Sequence, residues 1–303
     1  MVRSRALLPV VSVMVLLGCG GMVVVDREGA GGAGGTGGSI TTSTSSSTSS
    51  STTTTSSTTT TSSTTTTSST TTTTTTTPPP PPPAVYATNG ELLYLLDPVA
   101  QTFATIGPLQ GSGGFVTDLA VDRAGLLFAT TTSGLFQVDT GTAACTKIGS
   151  SGTYPNSLSF VPKGTLDPDE DALVGYQGPA YLRIDPVTGD MKILANISPY
   201  TSSGDLVALP DGRAYLTAQG AGCDDCLLQI DPASGAVLSV IGDIGYSGVW
   251  GLAYWGGTTY GFTSGGAVLI IDLETGLGQP ITYPGLPANV DFWGAGSSVA
   301  AAM

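Results

Sequence analysis

One short pattern returns five times along the chain: a few apolar residues, an aspartate, then turn-forming residues. The copies are Leu93-Tyr94-Leu95-Leu96-Asp97, Leu135-Phe136-Gln137-Val138-Asp139, Leu182-Arg183-Ile184-Asp185, Leu228-Gln229-Ile230-Asp231 and Leu269-Ile270-Ile271-Asp272. Their aspartates lie 42, 46, 46 and 41 residues apart. A steady period of that size means one supersecondary unit repeated, with room for four short strands in each unit. The clearest unit runs Leu119-Ala120-Val121, a turn at Asp122 to Gly125, Leu126 to Thr130, Leu135 to Asp139, then Cys145 to Ile148. Four-stranded units that cannot bury their own faces close into a ring, so the chain is expected to be all-β: a β-propeller of five four-stranded blades. The repeat opens in mid-unit. Val85 to Thr88 reads as a second strand, Leu92 to Leu96 as a third and Phe103 to Ile106 as a fourth. Val290 to Trp293 near the far end reads as the missing first strand. Pairing of the N- and C-terminal strands would complete one blade and remove the exposed edges of a linear array. If Val299 to Ala302 is a further strand, six blades are the alternative.

Each recurring aspartate meets a tight hairpin, as in Asp185-Pro186-Val187-Thr188-Gly189 and Asp231-Pro232-Ala233-Ser234-Gly235. Aspartate can accept from backbone N–H groups two residues on, proline presets φ, and glycine accepts a positive φ. A structural role is therefore expected for these carboxylates. With these hairpins the chain resembles a large, loosely related class of propeller proteins whose blades carry Leu-Tyr-x-Ile-Asp-Pro-x-Thr-Gly. That resemblance covers nearly all of residues 84–303; it implies the fold and leaves the function open.

Composition narrows the function. From Ala84 onward 20 acidic side chains face 6 basic ones, a net charge of −14. Such a surface repels phosphate backbones, so nucleic acid is not an expected partner. The chain has no histidine. That removes Ser–His and Cys–His pairs, histidine-ligated zinc and the usual general base near neutral pH. On this ground the chain is expected not to be an enzyme, to need no cofactor and to act as a monomeric binding module for protein, peptide or glycan. The alternatives are a purely structural surface component and a histidine-independent lyase or hydrolase working at the channel mouth.

The first 83 residues are of another kind. Arg3 and Arg5 precede an apolar run from Ala6 to Leu17, too short to span a bilayer and suited to a signal segment. Leu16-Leu17-Gly18-Cys19 follows. These residues resemble the lipobox of bacterial lipoproteins, although Leu17 is bulkier than the small residue usual there. The resemblance implies a signal peptide over 1–18, lipidation at Cys19 and a membrane partner reached through the acyl chains. Gly20 in place of aspartate implies the outer membrane or cell surface rather than the inner membrane. Residues 19–83 are expected to be a disordered tether: glycine-rich from Gly29, entirely Ser and Thr from Thr41 to Thr77, then six prolines. Fully extended, that segment would reach roughly 200 Å, and as a coil about 45 Å. An O-glycosylated stalk has similar composition.

Within residues 84–303 four further features stand out. Cys223-Asp224-Asp225-Cys226 is expected to form a local disulfide in an oxidising compartment, in the turn between two strands. Cys145 has no evident partner. Asp167, Asp169 and Asp171 alternate in an acidic insertion, a pattern a hard cation such as Ca²⁺ uses, though without EF-hand spacing. The loops that precede the first strands should gather at one end of the channel. They carry Phe115, Tyr154, Tyr200, Tyr246 and Tyr283, with Asp118, Asp205 and Trp250 at or just before the strands themselves. Tyr154, Tyr200, Tyr246, Trp250, Asp118 and Asp205 are thus a candidate binding face; packing between blades is the competing role for the tyrosines.

Overall fold

The computed structural model describes residues 84–220 and 222–300, so the signal segment, Cys19 and the tether lie outside the described residues. Among these residues there is no helix: twenty strands form five four-stranded antiparallel sheets arranged as a ring. Blade 1 holds β1 (Val85–Thr88), β2 (Leu92–Asp97) and β3 (Thr102–Pro108). Blade 2 holds β4 (Val116–Val121), β5 (Leu127–Thr131), β6 (Gly134–Val138) and β7 (Cys145–Ile148). Blade 3 holds β8 (Ser159–Val161), β9 (Ala172–Gln177), β10 (Ala180–Ile184) and β11 (Met191–Asn196). Blade 4 holds β12 (Thr201–Ala208), β13 (Ala214–Gly220), β14 (Cys223–Ile230) and β15 (Val237–Asp243). Blade 5 holds β16 (Val249–Trp255), β17 (Thr258–Thr263), β18 (Val268–Ile271) and β19 (Gly278–Ile281).

The last strand, β20 (Gly294–Ser297), returns to blade 1 and pairs antiparallel with β1, Ala87 opposite Ala295 and Val85 opposite Ser297. The ring therefore closes by pairing its two ends, as the mid-unit start requires. The closing strand is not Val290 to Trp293, however. Phe292 is fully buried between blades 5 and 1, edge-on to the rings of Tyr94, Phe103 and Phe262. Its N–H donates to Thr263, and that of Trp293 to Thr88. The apolar run is a wedge between blades. The inner strand itself is Gly294-Ala295-Gly296-Ser297, because five inner strands converge at the axis and leave no room for larger side chains. A Cβ on Gly296 would lie 2.6 Å from the carbonyl oxygen of Leu119. Val299, read as part of a possible sixth blade, is instead buried in a turn.

Burial falls from axis to rim. Inner strands such as β4 and β8 are almost wholly buried, while the outer strands β11 and β15 alternate or face solvent. The middle strands supply the large residues that fill the space between blades, including Phe128, Tyr176, Tyr181 and Phe262.

All five recurring aspartates end or follow the third strand of a blade and cap its hairpin. Asp97 accepts from the N–H groups of Val99 and Ala100, Asp185 from Val187 and Thr188, and Asp272 from Glu274 and Thr275. Asp139 accepts from Gly141 and Thr142, and Asp231 from Ala233 and Ser234. These donors hold the carboxyls of Asp139, Asp185 and Asp272 below the usual carboxylate range.

Candidate functional site at the axial mouth

Each inner strand, or the residues just before it, brings an equivalent position to the axis. Counting back two positions from Leu119, Leu158, Leu206, Leu252 and Ala295 gives Thr117, Asn156, Gly204, Trp250 and Trp293. These five, joined by Ser203, line a cavity of about 190 Å³ at the end of the channel. One pocket is thus built from all five blades. Its wall is uneven: two indoles on one side, hydroxyls and a carboxamide on the other.

The aromatic side extends outward. Phe115 stacks edge-on to Trp293, and Trp293 lies tilted against Trp250, each pair of ring centroids 4.6 Å apart. Phe115 and Trp293 are exposed, at 40% and 36% of their surfaces. Exposure on that scale in touching rings contrasts with the buried aromatic cluster around Phe292.

One residue further along the strands the channel closes. The equivalent positions are Asp118, Ser157, Asp205, Gly251 and Gly294, and both carboxyl groups are fully buried. A side chain on Gly294 would meet Asp118 Oδ1 at 2.5 Å, so glycine there is a steric requirement. The carboxyl oxygens receive the five backbone N–H groups that face the axis. Leu119 and Ala295 donate to Asp118 Oδ1 at 2.8 and 3.2 Å. Leu158 and Leu206 donate to Asp205 Oδ1 at 3.4 and 2.6 Å, and Leu252 to Asp205 Oδ2 at 2.6 Å. Asp118 Oδ2 alone has no backbone or hydroxyl partner. The two buried carboxyl groups are close enough for each to shift the titration of the other. Burial, then the neighbouring charge, raises the Asp118 carboxyl well above the usual range. Burial raises Asp205 as well, against the pull of its N–H donors. Asp118 is raised well above the usual range, Asp205 to about 7, and Asp118 Oδ2 meets no N–H donor, so the first proton of the pair is placed on Asp118.

The loop Cys223 to Cys226 borders this site. The two cysteines are disulfide-linked, at the start of β14 rather than in the turn before it. Between them Asp225 accepts from the Ser203 hydroxyl and from the Gly248 N–H, each at 2.6 Å, and so fixes one wall of the pocket.

Other candidate residues lie elsewhere. Tyr154 is buried and donates to the carbonyl of Gly189 in blade 3, so it packs against a hairpin instead of presenting a binding surface. Tyr200 and Tyr246 are half-buried against separate hydrophobic clusters. Asp118 and Asp205 form the floor beneath the mouth rather than an exposed face. Trp293 belongs to the site but reads from sequence as strand, because only the ring closure brings it beside Trp250.

Asp167, Asp169 and Asp171 do not converge. Asp167 pairs with Arg183 at 3.0 Å, and Asp171 with Arg123 at 2.9 Å. Their remaining lone pairs go to backbone N–H groups of Asp169, Glu170 and Lys163. No cluster of three metal-ligating side chains occurs among the described residues. Cys145 is a free, half-buried thiol on outer strand β7 whose burial pushes its pKa up to about 11.

No family model matches the chain, and no curated protein matches it. Solved structures do. One is a protein of Xanthomonas campestris described as a gluconolactonase important in glucose secondary metabolic pathways; it is 16% identical, covers 64% of this chain and 72% of its own, and has a TM-score of 0.41. Another is Kuenenia stuttgartiensis hydrazine synthase, 17% identical, over 73% of this chain and 71% of its own, with a TM-score of 0.36. The expectation that the chain is not an enzyme is corrected here, because a matched chain is described as an enzyme. The lack of histidine leaves carboxyl groups as acids and bases, and two of them, fully buried, lie near one another at Asp118 and Asp205. Likenesses this distant transfer no activity to this chain.

Proposed function

We propose that the chain is an exported lipoprotein that presents the axial mouth of its propeller as a binding face. In this reading residues 1–18 are the signal peptide and Cys19 carries the lipid. Residues 19–83 hold the propeller away from the outer membrane or cell surface. The ligand is an envelope or extracellular protein, peptide or glycan. The observation that carries the binding role is the row Phe115–Trp293–Trp250, its first two rings exposed and the third half-buried, beside a pocket to which every blade contributes. Exposed stacked aromatics gain nothing from the fold that burial would not give better, whereas rigid amphipathic rings bind well. The anchor rests on the sequence Leu16-Leu17-Gly18-Cys19 and on the composition of the tether.

Two measurements test the two halves. Cells fed a clickable fatty acid should label the wild-type chain and not Cys19→Ala; equal labelling would end the anchor. Pull-down from envelope extract with wild type and Trp250→Ala side by side tests the mouth. A partner retained equally by both places the binding face elsewhere.

A further inference from the structure

We infer that the axial pocket is a subsite for one neutral sugar ring, an inference that rests on the mouth being the binding face. Size comes first. At about 190 Å³ the cavity is smaller than the roughly 300–1,000 Å³ of pockets that enclose drug-sized ligands, so it takes a group of monosaccharide size. Chemistry comes second. None of the six lining residues ionises near neutral pH, although the domain is strongly acidic. Trp250 and Trp293 offer π surface, and Thr117, Ser203 and Asn156 offer hydroxyl and amide groups. A pyranose is divided in the same way, into patches of C–H and a rim of hydroxyls. Asn156 is exposed, and its amide makes one long bond, 3.4 Å, to Gly204. It therefore keeps donor and acceptor capacity for a ligand.

A cation fits less well. The rings of Phe115, Trp293 and Trp250 touch one another in a row and leave no gap between them, so they form a wall and not a cage around an ammonium group. The carboxyl groups nearest the pocket are already engaged: those of Asp118 and Asp205 below it by five N–H groups, and that of Asp225 at its wall by Ser203 and Gly248. The site also continues. A second cavity of about 350 Å³ shares Trp293 and adds Asn89, Phe115 and the carboxylates of Glu91 and Asp291, which are acceptors for sugar hydroxyls. A chain of sugars can therefore cross the aromatic ridge, with one ring in the axial pocket and the next beyond Trp293.

Calorimetric titration of the full chain with maltotetraose, cellotetraose and chitotetraose tests this, with choline chloride as the cationic probe. The expected result is saturable binding of at least one oligosaccharide. That binding should weaken at least tenfold in both Trp250→Ala and Asn156→Ala, each melting like wild type. Asn156 is exposed, so its variant keeps the test valid should Trp250→Ala fail to fold. Silence with all three sugars, binding of choline in their place, or sugar binding that survives both substitutions overturns the inference. A partner that Trp250→Ala fails to retain, with no sugar bound, would end the sugar reading and leave the mouth standing. Sugar binding indifferent to both variants would end both readings.

Discussion

Five backbone N–H groups reach the axis, one from each inner strand, and two carboxyl groups accept all of them. Each inner strand is the edge of its sheet, and a buried edge N–H without a partner costs about 1–3 kcal/mol. Asp118 and Asp205 supply the missing acceptors, in unequal ways. Asp205 uses both oxygens as acceptors, whereas Asp118 accepts with Oδ1 and leaves Oδ2 to carry the proton. Asp118→Asn keeps that pattern, with the amide N–H donating to Asp205. Asp205→Asn sets an N–H against an N–H, most directly that of Leu252. We expect Asp118→Asn to cost less in acid than Asp205→Asn, which should lose about 1–3 kcal/mol. Urea denaturation of the two variants checks this, and equal losses would refute the assignment of the proton. The pH dependence has a definite sign. Unfolded, Asp118 titrates near about 4; folded, its pKa is raised. Between those values the folded protein holds a proton that the unfolded chain has released. Stability is therefore full below the unfolded value and falls as pH rises through the folded one. The hairpin carboxyls of Asp139, Asp185 and Asp272 are lowered, so their contribution appears above the unfolded value and is lost as pH falls through the folded one. Asp205, raised to about 7, adds a decline of the same sign, so in Asp118→Asn the decline on the alkaline side should shrink and not vanish. A denaturation series from pH 4 to pH 9 reads it directly.

At the scale of elements, blades are locked to their neighbours by tyrosines. The hydroxyls of Tyr176 and Tyr181 in blade 3 donate to the carbonyls of Gly235 and Pro232 in the blade 4 hairpin, at 2.9 and 2.7 Å. Gly235 has a φ of +69°, and a side chain there would strike the Tyr181 ring at 2.4–2.8 Å were it present. Tyr181→Phe should cost about 1 kcal/mol, visible as a lower melting temperature, and an unchanged one would show the bond to be idle. The Cys223–Cys226 loop makes a second prediction. Closing so short a loop stabilises by about 2 kcal/mol at most in the chain-entropy model. Cys223→Ser should therefore melt only a few degrees lower, yet loosen Asp225 from Ser203 and weaken ligand binding at the mouth. Unaltered binding would separate the loop from the site. These contacts also mark what sequence can tell. Aspartate, proline and glycine act within four residues, so the hairpins were legible. The hydroxyl of Tyr154 finds its carbonyl 35 residues away in another hairpin. Nothing local distinguishes such a tyrosine from one at the mouth, so the sequence alone does not separate the two roles for Tyr154.

For the molecule as a whole, the period revealed the blades, and the mid-unit start revealed closure. Apolarity does not mark the closing strand: Val290 to Trp293 is the more apolar run, yet β20 pairs with β1. Around so narrow an axis smallness is the mark, as Gly294-Ala295-Gly296 shows. The same closure sets Trp293 beside Trp250 and completes the pocket, so the proposed function depends on it. The most direct test is a cross-link between the two ends. Ala87 and Ala295 face each other across β1 and β20, at the spacing of antiparallel partners, which a disulfide can bridge. Ala87→Cys with Ala295→Cys, in a Cys145→Ser background, should oxidise within one molecule during folding. The 87–295 bond should then be found by peptide mass spectrometry in a monomer of wild-type secondary structure. Thiols that stay free, or that join only between molecules, would place the two ends in separate sheets and contradict the closed ring.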